Sequence, residues 1–212
     1  LQGMSKQLKQ VSIDTGAATS DLTDGLYQVV SAFGESAESV KQLEIAAKAA
    51  KAGNATTTDS VNMLSAVTKG YGDTSAAALQ KASDLAFLTV KLGQTSFPEL
   101  ASSMGQVVPL AATMKVSQEE LFGAMATLTG VNGGTAEVTT QLRATMQEFL
   151  SPSSQMEKAL KKMGYTSGAA ALESEGLGGI LTKLKESVKG DEVAFANLFS
   201  SIESKNAVLA LT

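Results

Sequence analysis

Residues 130–154 read GVNGGTAEVTTQLRATMQEFLSPSS, and this stretch decides how the rest of the chain is interpreted. Apolar side chains follow the glycine cluster at a spacing of three or four residues, which predicts one amphipathic helix. These residues are Val138, Leu142, Met146 and Phe149. The Ser151-Pro152 pair ends that helix and begins the next. The glycines either let two packed helices meet closely or cradle a phosphate, and the two interpretations imply different functions.

The same pattern of a capping residue, an apolar helical period and a closing glycine recurs along the chain. No stretch alternates with period two for long enough to predict a strand. We therefore predict an all-α fold, an irregular multi-helix bundle of short capped helices joined by Gly/Ser/Thr turns. The candidate N-caps are Ser20 or Asp21, Ser36, Thr58, Thr74 or Ser75, Ser96, Ser117, Thr135, Ser153 and Asp191. Ser96 with Glu99, and Ser117 with Glu120, have the spacing of capping boxes.

Two features suggest breaks in this pattern. Pro109 lies inside a predicted helix, where its missing amide is expected to kink the helix or split it in two. Residues 168–179 are rich in glycine, alanine and serine and are the best candidate for a flexible stretch. We predict three parts: 1–19 as the end of an upstream helix or linker, 20–165 as a helical core, and 166–212 as a Gly/Ala-rich linker plus two C-terminal helices.

Composition narrows the chemistry open to the chain. The 212 residues include no cysteine and no histidine, which removes most transition-metal sites and the commonest general base. The net charge is −4 and the basic residues are scattered, which argues against nucleic acid as the main ligand. The uncharged runs are too short to span a membrane. The chain opens on Leu1-Gln2 without a secretory signal, so we expect a piece of a longer protein.

The glycine turn invites two binding functions, and the sequence favours neither. A dinucleotide fingerprint needs a strand before the glycines, and residues 121–128 predict a helix; a P-loop also needs Gly-Lys-Ser/Thr, which is absent from the chain. A DNA-binding helix-turn-helix would depend on Arg143 as its basic contact, beside the repelling Glu137 and Glu148. We expect Arg143 instead to lie over a neighbouring helix or to pair with Glu137 or Glu148.

One fragment resembles an enzyme motif. Residues 200–204, SSIES, resemble the Glu-Ser motif of soluble lytic transglycosylases, in which a helical glutamate protonates a glycosidic oxygen. The second motif of that family, of the Gly-Leu-Met-Gln type, is absent, and aromatic residues for sugar stacking are scarce. A peptidoglycan-cleaving domain using Glu203 therefore stays as the alternative function. A membrane-active helical module is a third option, which the interrupted amphipathic helices fit poorly.

Taken in order, the motifs resemble the core region of phage tail tape measure proteins of the TP901 type, over about residues 20–212. The motifs that carry the resemblance are Ala46–Gly53 (AAKAAKAG), Val61–Tyr71, Thr95–Leu100, Val108–Ala112, Val116–Leu121, Gly130–Pro152, Leu160–Gly164, Leu177–Gly179 and Asn197–Leu211. The resemblance implies a non-enzymatic virion structural protein of a tailed phage or prophage. In that family the long chain lies in the tail tube, sets the tail length and leaves the tube ahead of the DNA.

The resemblance also implies partners and a location. The partners are the tail tube protein, tail assembly chaperones and baseplate or tail tip proteins, with self-association and no specific nucleic acid. Any transient host envelope contact is expected through other parts of the parent chain. The expected location is the lumen of the virion tail, and the host cytoplasm during assembly. We expect no catalytic, cofactor-binding or metal-binding residues and no cofactor.

A ruler requires long uninterrupted heptads, whereas these helices are short and end at glycines. We therefore expect this piece to be a compact domain, with the length-setting coiled coil outside it.

Overall fold

The computed structural model describes residues 2–212, with side chains from Ser5 onwards. The described residues form twelve α-helices and no strand, so the predicted all-α fold is confirmed. The helices are α1 (Gln2–Thr15), α2 (Thr19–Phe33), α3 (Ser39–Gly53), α4 (Thr57–Gly70), α5 (Ala76–Leu92), α6 (Phe97–Thr113), α7 (Gln118–Val131), α8 (Thr135–Leu150), α9 (Ser154–Lys162), α10 (Gly168–Ser187), α11 (Glu192–Ala196) and α12 (Ile202–Leu211).

Most of the predicted helix starts are confirmed by hydrogen bonds. In the first capping box the Glu99 amide donates to the Ser96 hydroxyl, and the Ser96 amide donates to the Glu99 carboxylate at 2.9 Å. Ser117 and Glu120 form the second box before α7. At the start of α9 the Ser153 side chain accepts from the Met156 amide, and at the start of α11 the Asp191 side chain accepts from the Ala194 amide. The Ser75 hydroxyl accepts from the Ala78 amide, so Ser75 rather than Thr74 caps α5.

Several predicted caps are wrong by a few residues. Thr56 rather than Thr58 caps α4, because its hydroxyl is the one that accepts from the Asp59 amide, at 3.0 Å. Gly134 rather than Thr135 precedes α8, and the Thr135 hydroxyl is instead hydrogen-bonded to the Thr95 hydroxyl. Helix α2 begins at Thr19 after Ala18, without a side-chain cap from Ser20 or Asp21. Helix α3 begins at Ser39 after Glu38, and the predicted cap Ser36 lies three residues earlier, where its hydroxyl accepts from the Glu38 amide at 3.2 Å.

Two predicted interruptions also need correction. Helix α6 runs as one helix past Pro109, so proline does not split it, while the alternative of a kink stays a prediction. The proline ring clashes with the carbonyl four residues earlier, and that residue is Gly105, whose bare backbone adjusts most easily. The expected flexible stretch 168–179 is helical and belongs to α10, which contains one non-helical residue, Gly176. Of its glycines, only Gly176 departs from helical backbone angles, and the helix bends there.

The chain divides into two compact units. Unit 1 comprises the residues up to Leu88 together with Ser96–Gly105, and unit 2 comprises Thr89–Thr95 together with Gln106–Thr212. In unit 1, α2, α3 and α4 pack on one another, and α1 packs on α2 and α3. In unit 2, α8 packs against α7, α10 and most extensively α12, while α10 also contacts α7, α9, α11 and α12. The three-part division drawn from the sequence remains a prediction.

Unit 1 is held together by close helix approaches at glycine. A β-carbon on Gly25 of α2 would lie 2.6 Å from the Thr57 methyl and 2.9 Å from Leu43, so the missing side chain lets α2 seat on α3 and α4. Gly53 similarly receives the ring of Phe97, which stacks on Phe87 with centroids 5.0 Å apart. Unit 2 has its own aromatic core, in which Phe199 packs edge-on against Phe149 and Phe195.

Candidate functional site

The glycine turn is shorter than the sequence suggested, because Gly130 is still part of α7. The turn consists of Asn132, Gly133 and Gly134, and Gly133 has a φ of 124°, which favours glycine. The Asn132 side-chain amide donates to the Gln141 side chain at 2.9 Å and to the Asn206 carbonyl at 3.1 Å. These bonds tie the turn to both α8 and α12, so the turn is a corner of unit 2 at which α7, α8 and α12 meet.

The phosphate interpretation of this turn gains no support. A helix, α7, precedes the glycines where a dinucleotide-binding fingerprint needs a strand. A cavity of about 350 Å³ lies beside the turn, and its lining has no charged side chain to pair with a phosphate. The lining residues are Gln94, Thr129, Gly130, Val131, Gly133 and Gly134. The structure instead supports the interpretation that the turn joins two packed helices.

Helix α8 also fits poorly as a DNA recognition helix. Packed against α7, α10 and α12, it buries nine of its residues, among them Val138, Leu142, Met146 and Phe149. Arg143 is half-buried, and in the described part of the chain no ion pair joins it to Glu137 or Glu148. The expected pairing with either carboxylate is therefore wrong.

Glu148 has a role that the sequence does not reveal. The residue is 8% exposed, and one carboxylate oxygen accepts from the Ser200 amide at 2.7 Å and the Ser201 amide at 2.8 Å. Ser201 is the N-cap of α12. The Glu148 carboxylate therefore occupies the N-terminal end of that helix, where an anion is favoured. The donors lie 52 and 53 residues further along the chain, and no local pattern signals such a contact.

The end of the focal stretch is anchored in the same place. The Ser153 hydroxyl accepts from the Met156 amide as the cap of α9 and donates to the Leu198 carbonyl at 2.7 Å. Next to it, the rings of Phe149 and Phe199 lie 6.2 Å apart. Residues 148–153 thus form the junction between α8, α9 and the segment that leads into α12. We call this the Glu148 junction.

The Glu-Ser fragment is part of a helix start. The Ser201 hydroxyl accepts from the Ser204 amide at 3.0 Å and shares a hydrogen bond with the Ser204 hydroxyl at 2.7 Å. Glu203 lies exposed in the first turn of α12. A carboxylic acid that protonates a glycosidic oxygen needs enclosed, apolar surroundings, because these raise its pKa far enough to keep it protonated. The serines are occupied by capping, and Glu203 lacks the enclosure that this chemistry requires.

The lysines of the C-terminal third are partly neutralised. Lys161 pairs with Glu157 at 2.6 Å, Lys183 with Glu175 at 2.7 Å, and Lys185 approaches Glu192 at 3.9 Å. Beside Lys183, the Tyr165 hydroxyl donates to Glu175 at 2.5 Å and accepts from Lys183 at 3.1 Å. The Lys183 ammonium and the Tyr165 hydroxyl hold the pKa of Glu175 below its ordinary value, and Glu175 raises the pKa of Lys183. We call Tyr165, Glu175 and Lys183 the α10 cluster.

The described residues were compared with the requirements of a metal site and of a membrane-spanning helix. These residues contain no group of three or more His, Cys, Asp or Glu side chains placed to hold a metal ion. None of the helices found in residues 2–212 combines the length and the apolar character needed to cross a bilayer.

Comparison with known proteins identifies the family. The family model described as "Phage-related minor tail protein" matches residues 5–202, which covers nearly the whole of both units. This chain belongs to the phage-related minor tail protein family. No curated protein and no solved structure matches it. Membership in this family assigns the chain a structural role in a phage tail. The matched residues of this chain fold as the helices described above.

Proposed function

We propose that this minor tail protein segment is a structural, non-enzymatic domain of a phage tail tape measure protein of the TP901 type, acting in tail assembly, tail length determination and DNA ejection. The family match over residues 5–202 carries the proposal, because it spans almost all of the residues over which the tape measure motifs occur in order. The motifs also coincide with helix boundaries: residues 95–100 start α6, residues 116–121 contain the capping box of α7, and residues 130–152 hold the turn and α8.

Within such a protein, these residues serve as a compact domain rather than as the ruler. Each helix has 5 to 20 residues, and α10, with 20 residues, is bent. A straight helix formed by all 212 residues would measure about 320 Å, at about 1.5 Å per residue. Helices that fold back on one another within each unit occupy a small fraction of that length. We infer that a coiled coil elsewhere in the parent chain sets the length.

The proposed location follows from the same role. The domain lies in the tail lumen of the virion, after assembly in the host cytoplasm. Its partners are the tail tube protein, the assembly chaperones and the baseplate or tail tip proteins, and copies of the parent chain associate with one another. The net charge of −4 and the pairing of several lysines with carboxylates fit protein partners better than DNA.

Tail length in the parent phage or prophage tests the proposal. About seventy residues of a heptad coiled coil, inserted in frame outside residues 1–212, should lengthen the tail by about 100 Å, at about 1.5 Å per helical residue. An in-frame second copy of residues 2–212 should add far less than about 320 Å, because the copy folds compactly. Electron microscopy of negatively stained virions measures both.

The control is the same coiled coil inserted into another tail protein gene, which should leave the length unchanged. Tails of normal length after insertion into the parent chain would overturn the tape measure role. A second assay addresses the non-enzymatic part: purified chain should not clear peptidoglycan in a turbidity assay. Clearing that is lost in Glu203→Gln, but kept in the matched surface variant Glu173→Gln, would establish the lytic alternative instead.

A further inference from the structure

Helix α10 contains a bend that only glycine permits. Gly176 has a φ of 71° and a ψ of 172°, while the residues on either side are helical. This backbone region is essentially restricted to glycine. A β-carbon on Gly176 would also collide with the carboxylate of Glu120, the residue that completes the α7 capping box. Both the backbone angles and the neighbouring carboxylate therefore require glycine at the bend.

The bend turns two opposed apolar surfaces toward the same core. Before it, α10 buries Ala171 and Leu172; after it, α10 buries Leu177, Ile180, Leu181 and Leu184. With about 100° of rotation per residue, a straight helix would place the centres of these two sets about 180° apart. The bundle of unit 2 can bury both sets only while α10 is bent. A straight α10 would leave one set without its present neighbours.

The α10 cluster forms only in the bent helix. Glu175 precedes the bend, Lys183 follows it, and the Tyr165 hydroxyl bonds to both from the connection between α9 and α10. In a straight helix, positions eight residues apart are separated by a rise of about 12 Å. Side chains on a helix pair at three or four residues, not at eight. The 2.7 Å contact between Lys183 and Glu175 therefore stabilises the bent state and is lost in the straight one.

We propose that α10 is a latched hinge: Gly176 is the hinge, the α10 cluster is the latch, and a single straight helix is the second state. In the bent state, both apolar surfaces of α10 are buried in unit 2. The straight state presents an apolar surface on each of two opposite sides, which is the pattern of a helix that lies between two neighbouring helices. A partner that covers such a surface shifts the equilibrium toward the straight state. The hinge rests on this geometry alone and does not depend on the tape measure role.

A distance measurement across α10 tests the hinge. The chain has no cysteine, so Thr166→Cys and Ser187→Cys, both at exposed positions, provide two unique sites for nitroxide labels. A straight helix over this span would hold the labels about 30 Å apart, at about 1.5 Å per residue. Pulsed electron paramagnetic resonance should give a shorter distance for the unaltered sequence.

Variants of the α10 cluster should then change the fraction of molecules with a straight α10. Glu175→Lys breaks the latch by charge repulsion and should add a population near about 30 Å, while Glu175→Lys with Lys183→Glu restores an opposite pair and should remove it. Gly176→Ala should produce the largest long-distance population, and Glu173→Gln, an exposed control on the same helix, should produce none.

Circular dichroism confirms that each variant is folded, and the charge variants carry the test if Gly176→Ala unfolds. An unchanged short distance in folded Glu175→Lys overturns the latch. A long-distance population that the double reversal fails to remove overturns it as well.

Discussion

Helices α7 and α10 both carry internal glycines, yet only α10 bends. Helix α7 runs unbroken from Gln118 to Val131 through Gly123 and Gly130, and a β-carbon on either would meet no other atom within 4 Å. In α10, Gly176 has positive φ and lies against Glu120. The number of glycines in a helix therefore says little about its shape. The backbone angle at each glycine, and what packs against it, decide between an ordinary helical residue and a hinge.

The two helices meet through one side chain. Glu120 accepts from the Ser117 amide and hydroxyl as part of the α7 capping box, and its carboxylate also faces the bend of α10. The N-terminal turn of α7 thus packs against the bend of α10. Variants on either side of this contact can show how far the two helices depend on each other.

The largest expected difference is between two glycine-to-alanine variants. Gly176→Ala should lower the free energy of unfolding by about 2–4 kcal/mol, because alanine is strained at positive φ and collides with Glu120. Gly123→Ala should raise it by about 0.5–1 kcal/mol, because Gly123 is exposed, has a helical backbone and meets open space. Urea unfolding followed by circular dichroism measures both. Equal effects of the same sign would show that the environment of Gly176 is ordinary.

The contrast also shows what could be predicted from the sequence. The all-α fold and the capping boxes follow from local rules, because a serine and a glutamate three residues apart act within one turn. The glycines of residues 168–179 indicate an irregularity at the right place, and in the structure this irregularity is a bend in a helix. A glycine's φ depends on distant packing, here on Glu120, more than fifty residues earlier. Sequence pattern alone therefore cannot separate a hinge from a loose segment.

The Glu148 junction teaches the same lesson about sites. Glu148 lies at a helical position where the sequence indicates only a potential partner for Arg143. Its actual partners are backbone amides of Ser200 and Ser201, which any residue type except proline would supply. The resemblance to tail proteins could be found from ordered motifs, whereas this contact could be found only from the fold. Contacts to backbone groups leave no trace in the partner's sequence.

A smaller difference is expected between the caps of the same two helices. Ser167 caps α10 with one bond, to the Ala170 amide, whereas Ser117 belongs to a reciprocal box with Glu120. Loss of a serine cap costs about 1 kcal/mol and up to about 2 kcal/mol. The stability cost of Ser117→Ala should lie at the upper end of this range, because the change also frees Glu120 beside the bend. The cost of Ser167→Ala should be about 1 kcal/mol. Thermal unfolding compares the two, and a larger effect of Ser167→Ala would contradict the proposed link between α7 and the bend.

The smallest expected effect is on the pH dependence of stability. The pKa of Glu175 is held low by Lys183 first and by Tyr165 second. A carboxyl whose pKa is lower in the folded state stabilises the fold above its ordinary pKa, about 4.3, and loses that contribution as the pH falls through the folded value. The Ser117 hydroxyl does not titrate, so acid should weaken the α10 cluster while the bond from the Glu120 amide to that hydroxyl stays in place.

Comparing the unaltered chain with Glu175→Gln isolates this contribution. The difference in melting temperature between them should be present at about pH 7 and shrink as the pH falls below the ordinary carboxyl pKa and through the lower folded-state pKa of Glu175. High salt should reduce the difference at neutral pH, because the pair is partly exposed to solvent and therefore partly screened. Glu173→Gln, at an exposed position on the same helix, should show no such pH dependence. A difference that persists in acid would mean that Glu175 supports the bend through packing or neutral hydrogen bonds, and the ion pair with Lys183 would then not be what holds α10 bent.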